Sequence, residues 1–168
     1  MVVSGIKWFS QKISCLSIFR RTLHTMFIGE YAHNLDDKGR LAIPIKFREA
    51  LRQGAVITRG LDQCLFVYSL EEWKRLAEKL AALPLGQAAT RAFSRLMLAG
   101  AMDTELDKQG RVIVPEYLRS FAGLNKNIVI AGLFNRLELW DADAWLAYKK
   151  ATEQESNVLA EKMGELGV

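Results

Sequence analysis

With only two cysteines and two histidines in 168 residues, the chain has little from which to build a metal site or a disulfide framework. Cys15 and Cys64 lack metal-ligand spacing and sit in unlike contexts. Cys64 opens an apolar stretch, where a free buried thiol is expected. The lack of a disulfide framework agrees with a reducing cytoplasm. His24 and His33 belong to no Ser–His or Cys–His arrangement, and the sequence has no glycine-rich phosphate cradle or metal-ligand cluster. The neighbouring acids Asp36 and Asp37 read as solvated turn residues rather than a catalytic pair. No enzyme activity, cofactor, metal or small-molecule substrate is therefore expected. No stretch reaches the roughly 18 uncharged apolar residues that span a bilayer, so no membrane partner is expected.

A general excess of positive charge is also missing. The formal net charge is +4, yet residues 1–25 carry Lys7, Lys12, Arg20 and Arg21 with no acid. Beyond them, 23 − 4 = 19 basic residues face 19 acidic ones. Nucleic-acid binding would have to come from a local concentration of charge. The basic segment 1–25 lacks the apolar run of a secretory signal. A translation start assigned upstream of Met26 is expected, with a disordered basic arm and a targeting peptide as alternatives.

What the chain does contain is a repeat. Leu35 to Pro44 reads Leu-Asp-Asp-Lys-Gly-Arg-Leu-Ala-Ile-Pro, and Leu106 to Pro115 reads Leu-Asp-Lys-Gln-Gly-Arg-Val-Ile-Val-Pro. The offset is 107 − 36 = 71 residues. Ile57 to Leu61 aligns with Val129 to Leu133 once one extra residue is allowed in the second copy. Leu65 to Tyr68 then aligns with Leu137 to Trp140, and Trp73 with Trp145. A duplicated module accounts for agreement across turn, strands and helix.

Each copy reads as a strand into the turn, a short return strand, and a proline where the ladder stops and a helix begins. In the first copy these are Phe27 to Asn34, Leu41 to Ile43, and a helix from Ile45 to Leu51. Strands over Ala55–Arg59 and Cys64–Tyr68 follow, then a helix capped by Ser69 with Glu71 and Glu72 in its first turn. Leu83-Pro84-Leu85-Gly86 breaks that helix, and Gln87 to Ala99 has helical spacing. The second copy predicts strands over Met102–Leu106, Val112–Val114, Asn127–Ala131 and Arg136–Trp140, with Asp141 in the capping place of Ser69. The frayed end is expected over 164–168.

Neither half is large enough to bury much core alone. The expected fold is α+β, a pseudo-twofold small β-barrel shared by two modules, with helices between and after them. The expected divisions are the extension 1–25, module 1 at 30–73, a helical connection at 74–101, module 2 at 102–145, and a C-terminal helix and tail at 146–168.

In the repeated turn, Gly39 and Gly110 supply the positive φ of a tight turn. Asp36 and Asp107 either accept backbone N–H bonds or pair with the arginine at the far end. Arg40 and Arg111, held just past the turn, suit phosphate or a guanine edge. Lys38 and Lys108 add point charge, and Lys46, Arg48 and Arg52 could widen a basic strip beside the first turn. The competing reading is hairpin chemistry with an ordinary surface ion pair. Turn geometry explains Asp and Gly but not Arg, and the residues alone leave the two readings balanced. Trp73 and Trp145 read as core anchors, and Arg91 and Arg95 as solvated or partner-facing.

The paired Asp-x-x-x-Arg motifs, each followed by apolar residues and Pro, resemble those of the MraZ family. Arg91 to Ala101 and Phe134 to Trp140 are also similar, and the resemblance runs from Met26 to about Leu159. It implies two AbrB-like swapped-hairpin modules and a bacterial transcriptional regulator, cytoplasmic and nucleoid-associated. The implied partners are double-stranded promoter DNA and further copies of the chain in a homo-oligomeric ring. The implied targets are repeated promoter elements of the division and cell-wall gene cluster that includes the regulator's own gene. The resemblance tips Arg40 and Arg111 to DNA contact. The alternative is a ring-forming protein-interaction module without specific DNA binding.

Overall fold

A computed structural model describes residues 26–167; the expectations for residues 1–25 and for Val168 lie outside them. Strands β1 (Phe27–Asn34) and β2 (Arg40–Ala42) flank the first turn, and α1 (Ile45–Arg48) follows. Then come β3 (Ala55–Arg59), β4 (Leu65–Ser69) and α2 (Leu70–Ala81). Helix α3 (Ala88–Ser94) runs into a π-helical turn at Arg95–Ala99. The second copy comprises β5 (Met102–Thr104), β6 (Arg111–Ile113), α4 (Glu116–Phe121), β7 (Asn127–Phe134), β8 (Arg136–Asp141) and α5 (Ala142–Gln154). Helix α6 (Ser156–Gly164) ends the described chain.

Local chemistry sets the boundaries. Pro44 and Pro115 are the N-caps of α1 and α4, where a missing N–H costs nothing. Ser69 Oγ accepts the Glu72 N–H at 3.3 Å to start α2. Asp141 starts α5 by accepting the Asp143 N–H at 3.1 Å, while its other oxygen accepts the backbone and side-chain N–H groups of Asn125.

Among the described residues, eight strands form two sheets. A six-stranded antiparallel sheet has the order β1-β7-β8-β4-β3-β5, and β2 pairs with β6 in a separate ribbon. Exchanging each strand for its repeat partner reverses the order and leaves it unchanged, which defines a pseudo-twofold axis between β4 and β8. The first strand of each module pairs with the third strand of the other: β1 with β7, β5 with β3. This is the swapped arrangement.

The core fills the space between sheet and ribbon. Leu41, Ile43, Val112 and Val114 from the ribbon side meet Ile57, Leu65, Val67, Ile130, Leu137 and Leu139 from the sheet, all essentially without solvent contact. Burying a side chain of this size stabilises by about 1.5–3 kcal/mol. A second cluster (Cys64, Phe66, Tyr68, Leu80, Met97, Val129, Trp140) covers the other face of the sheet. Trp73 and Trp145 pack against it, half-buried, in keeping with their reading as anchors.

Two expectations need correction. The sheet does not close into a barrel: β1 and β5 remain its two edges, and β2 and β6 pair with each other rather than bridging those edges. The ribbon covers the core without joining the six-stranded ladder, save for the isolated Leu35–Leu41 bridge. The register also revises the repeat alignment. Ile57 faces Val67 and Ile130 faces Leu139, while Leu65 to Val67 face Leu139 to Leu137. The equivalent of Ile57 is therefore Ile130, an offset of 130 − 57 = 73. Both point into the core, as their complete burial requires.

The modules differ where they begin. β1 pairs with β7 along its whole length, and β7 runs to Phe134, three residues beyond the expected end. β5 is three residues long because its upstream neighbours are used in the π turn and in Gly100 and Ala101. Thr58, buried in β3, donates its hydroxyl to the Met97 carbonyl at 2.6 Å and ties that turn to the sheet.

Candidate nucleic-acid interface

The two repeated turns meet across the pseudo-twofold axis on the outer side of the β2–β6 ribbon. Leu41 and Val112 face one another at the centre and are fully buried. Strand alternation sends their neighbours Arg40, Ala42, Arg111 and Ile113 to the opposite, solvent side. Arg40 is opposite Ile113 and Arg111 opposite Ala42. The guanidinium-bearing side chains thus flank one central pair.

Each turn is built alike. Gly39 N–H donates to the Asp36 carbonyl and Gly110 N–H to the Asp107 carbonyl, both at 2.8 Å. The glycines have φ of 74° and 76°, where a Cβ is disfavoured. Asp36 Oδ1 accepts the N–H groups of Lys38 (3.0 Å) and Arg40 (2.8 Å), and Asp107 Oδ1 those of Gln109 and Arg111 (2.9 Å each). The second oxygen takes the arginine: Arg40 Nε donates to Asp36 Oδ2 at 2.6 Å, Arg111 Nε to Asp107 Oδ2 at 2.8 Å. Sequence reasoning offered turn organisation or arginine pairing as alternatives, and each aspartate does both.

This fixes the charge states. The Asp36 carboxyl is held below the usual carboxylate range, chiefly by the Arg40 backbone N–H. The Asp107 carboxyl is held down at about 2, chiefly by the Arg111 side chain. Arg111 also reaches across the axis, its Nη1 lying 4.0 Å from Asp36 Oδ2. Both arginines keep part of their surface in solvent, 31% for Arg40 and 25% for Arg111. Each is oriented through Nε and retains exposed donor surface for a ligand.

The remaining expected cations divide. Lys38 and Lys108 are exposed on the turns. Lys46 turns to β1, where its ammonium donates to the Ile28 carbonyl at 2.6 Å and lies over the Tyr31 and Phe47 rings. Ile28 is near the start of β1 and the turn lies past its end, so Lys46 stands apart from the turn cluster. Arg48 donates from Nε to the Ile43 carbonyl at 2.8 Å, and its guanidinium lies over Gly110 of the other module. The residue that sequence reasoning undervalued is Arg119. It lies over Gly39 in the same way, and 48 + 71 = 119 makes it the repeat partner of Arg48.

Among the described residues, no group of His, Cys, Asp and Glu could hold a metal ion, and no helix is long and apolar enough to cross a membrane.

Comparison with known proteins agrees with this duplicated geometry. Residues 26–96 and 97–164 each match the model of the MraZ protein family. A protein of Acetivibrio thermocellus called transcriptional regulator MraZ is 48% identical over 143 residues, covering 85% of this chain and 100% of the relative. The protein of that name from Clostridium acetobutylicum is 50% identical, and the one from Caldanaerobacter subterraneus 46%, each over the same length and coverage.

Proposed function

The chain belongs to the MraZ family, and on that premise we propose that it is a sequence-specific DNA-binding transcriptional regulator. The observation that carries the reading is the pair of outward arginines, each oriented by an ionised aspartate, side by side on a two-stranded ribbon. A ribbon of two strands is one of the elements that the DNA major groove admits, and a guanidinium fork reads guanine or grips phosphate. Arg40 and Arg111 contact the duplex, Lys38 and Lys108 add charge at its backbone, and Asp36, Gly39, Asp107 and Gly110 set the turns. Of the other expected contacts, Lys46 is committed to β1 and Arg48 to the second turn, so the proposal draws on the turn residues.

The near-balance of charge outside residues 1–25 means that one subunit binds weakly. Several copies on a closed ring gain affinity when repeated DNA elements match their spacing. The targets are repeated elements upstream of the division and cell-wall gene cluster that includes the regulator's own gene. The protein works in the cytoplasm, at the nucleoid.

Fluorescence anisotropy of the full chain on DNA from its own upstream region, against shuffled DNA at two salt concentrations, tests this. Sequence-dependent, salt-sensitive binding that Arg40→Ala with Arg111→Ala removes, with the oligomer intact, is expected. Equal weak binding to both DNAs would overturn it and favour a ring that binds protein instead.

A further inference from the structure

We infer that Arg48 and Arg119 are positioning residues, each seating the turn of the opposite module through that turn's glycine. The inference deepens the DNA-binding reading and rests on it for its consequence, though not for its geometry. A Cβ at Gly110 would fall inside the Arg48 guanidinium. At Gly39 it would lie 3.2 Å from Arg119 Nε and 3.3 Å from Cζ. The glycines therefore serve two ends: they accept a positive φ, and they present a bare peptide surface on which a planar guanidinium rests. Asparagine, which tolerates the same φ, would meet the first need and fail the second.

The backbone runs the same way. Ile43 N–H donates to the Gly110 carbonyl at 2.9 Å, and Val114 N–H to the Gly39 carbonyl at 2.8 Å. Past each of these residues come a proline and the short helix that carries the arginine. Each module thus lays a strand end and a guanidinium over the other's turn. The turn that orients Arg40 is set by module 2, and the turn that orients Arg111 by module 1.

The two clamps are not equal. Among the described residues, Arg48 is anchored by its Nε bond to Ile43, whereas the buried Nε of Arg119 has no acceptor. Arg119 lacks that Nε anchor, which leaves the first turn the more weakly seated.

Hydrogen exchange of the full chain without DNA reads the clamp directly. Arg119→Ala is expected to speed exchange in residues 35–41 and leave 106–112 unchanged, and Arg48→Ala to do the reverse. Arg119→Lys and Arg48→Lys, which keep charge but lack the fork, should behave like the alanine variants. Loosening of the variant's own module, or of neither turn, would overturn the inference.

With promoter DNA, each alanine variant is expected to lose roughly tenfold in specific affinity, about one bidentate contact's worth. Because no phosphate contact is removed, the salt slope stays at the wild-type value. A slope lowered by about one would mark a direct phosphate contact and overturn the positioning role. Arg119→Ala should be non-additive with Arg40→Ala and additive with Arg111→Ala; the opposite pattern would also overturn it. A wild-type chain that fails to distinguish promoter from shuffled DNA would sink the function and leave the exchange result to decide the clamp.

Discussion

Module 1 opens on the eight-residue strand β1, and module 2 opens on the three-residue strand β5 just after a helix and its π turn. The difference is visible at one pair of equivalent positions. Gly132 pairs with Gly29 where β1 runs beside β7, and a Cβ there would meet Ile28 N at 2.5 Å and the Phe27 carbonyl carbon at 2.6 Å. Its counterpart in β3 is Arg59, since 59 + 73 = 132. Arg59 pairs with Leu65 of β4 on one side, but no strand flanks it on the other, because β5 starts only at Met102, opposite Ile57. Its side chain instead covers Gly100 and lies over the Phe121 ring at 5.5 Å. Duplication supplied the same turn twice, and what enters each module decides how much sheet surrounds that turn.

The largest effect that would break this comparison comes from adding a side chain at Gly132. Gly132→Val is expected to destabilise by about 3 kcal/mol, since the neighbours are backbone atoms that cannot swing aside. Arg59→Ala should stay within about 1 kcal/mol. Urea unfolding of both variants checks the contrast, and equal losses would mean that the two positions are not inequivalent in the way the ladders suggest.

A smaller effect belongs to the device peculiar to module 1. Thr58→Val removes the hydroxyl that binds the Met97 carbonyl and leaves that carbonyl buried without its donor, at a cost of about 2 kcal/mol. The loss should appear as faster hydrogen exchange over 95–101. The equivalent residue in β7 is Ala131, which has no hydroxyl to lose, so the tie exists in one module only.

How much of this was legible in the sequence follows from what a sequence pattern encodes. The repeat exposed the turns, because Asp, Gly and Arg do local work within five residues. Ser69 and Asp141 were legible as caps for the same reason. Period-two alternation says which face a residue takes but not which strand lies beside it, so neither the open order β1-β7-β8-β4-β3-β5 nor the 73-residue offset could be read. Lys46 and Arg48, two residues apart, looked like one basic strip; on a helix of one turn they leave in different directions, one to Ile28 and one to Ile43. Arg119 carried its signal in the offset alone. A residue that acts on the other module leaves no local trace.

The turn arginines come next in size. Each single change, Arg40→Ala or Arg111→Ala, is expected to cost about 1.5 kcal/mol in promoter binding, or roughly tenfold. Arg111→Ala should cost the more, because it also withdraws the cation that lies 4.0 Å from Asp36 across the axis. Anisotropy titrations at one salt concentration decide it, and a larger loss for Arg40→Ala would show that the cross-axis pair has no influence on the first turn.

The smallest effect separates the two carboxylates by acid. Arg111 brings both Nε and Nη2 to Asp107 Oδ2, at 2.8 and 2.7 Å, and Arg40 brings Nε to Asp36 Oδ2 at 2.6 Å. Both carboxyls are depressed, Asp107 to about 2. A carboxyl that binds its proton less readily when folded favours the folded state at every pH above its unfolded value, about 3.9. That contribution disappears as the pH drops through the folded value. The turns should therefore stay intact from neutral pH to about pH 4, and below it the first turn should loosen before the second. Carboxyl-carbon NMR titration of the two aspartates gives the order. If Asp36 held its charge to lower pH than Asp107, the second donor from Arg111 would count for less than the cross-axis guanidinium, and the two turns would be joined more closely than their own hydrogen bonds indicate.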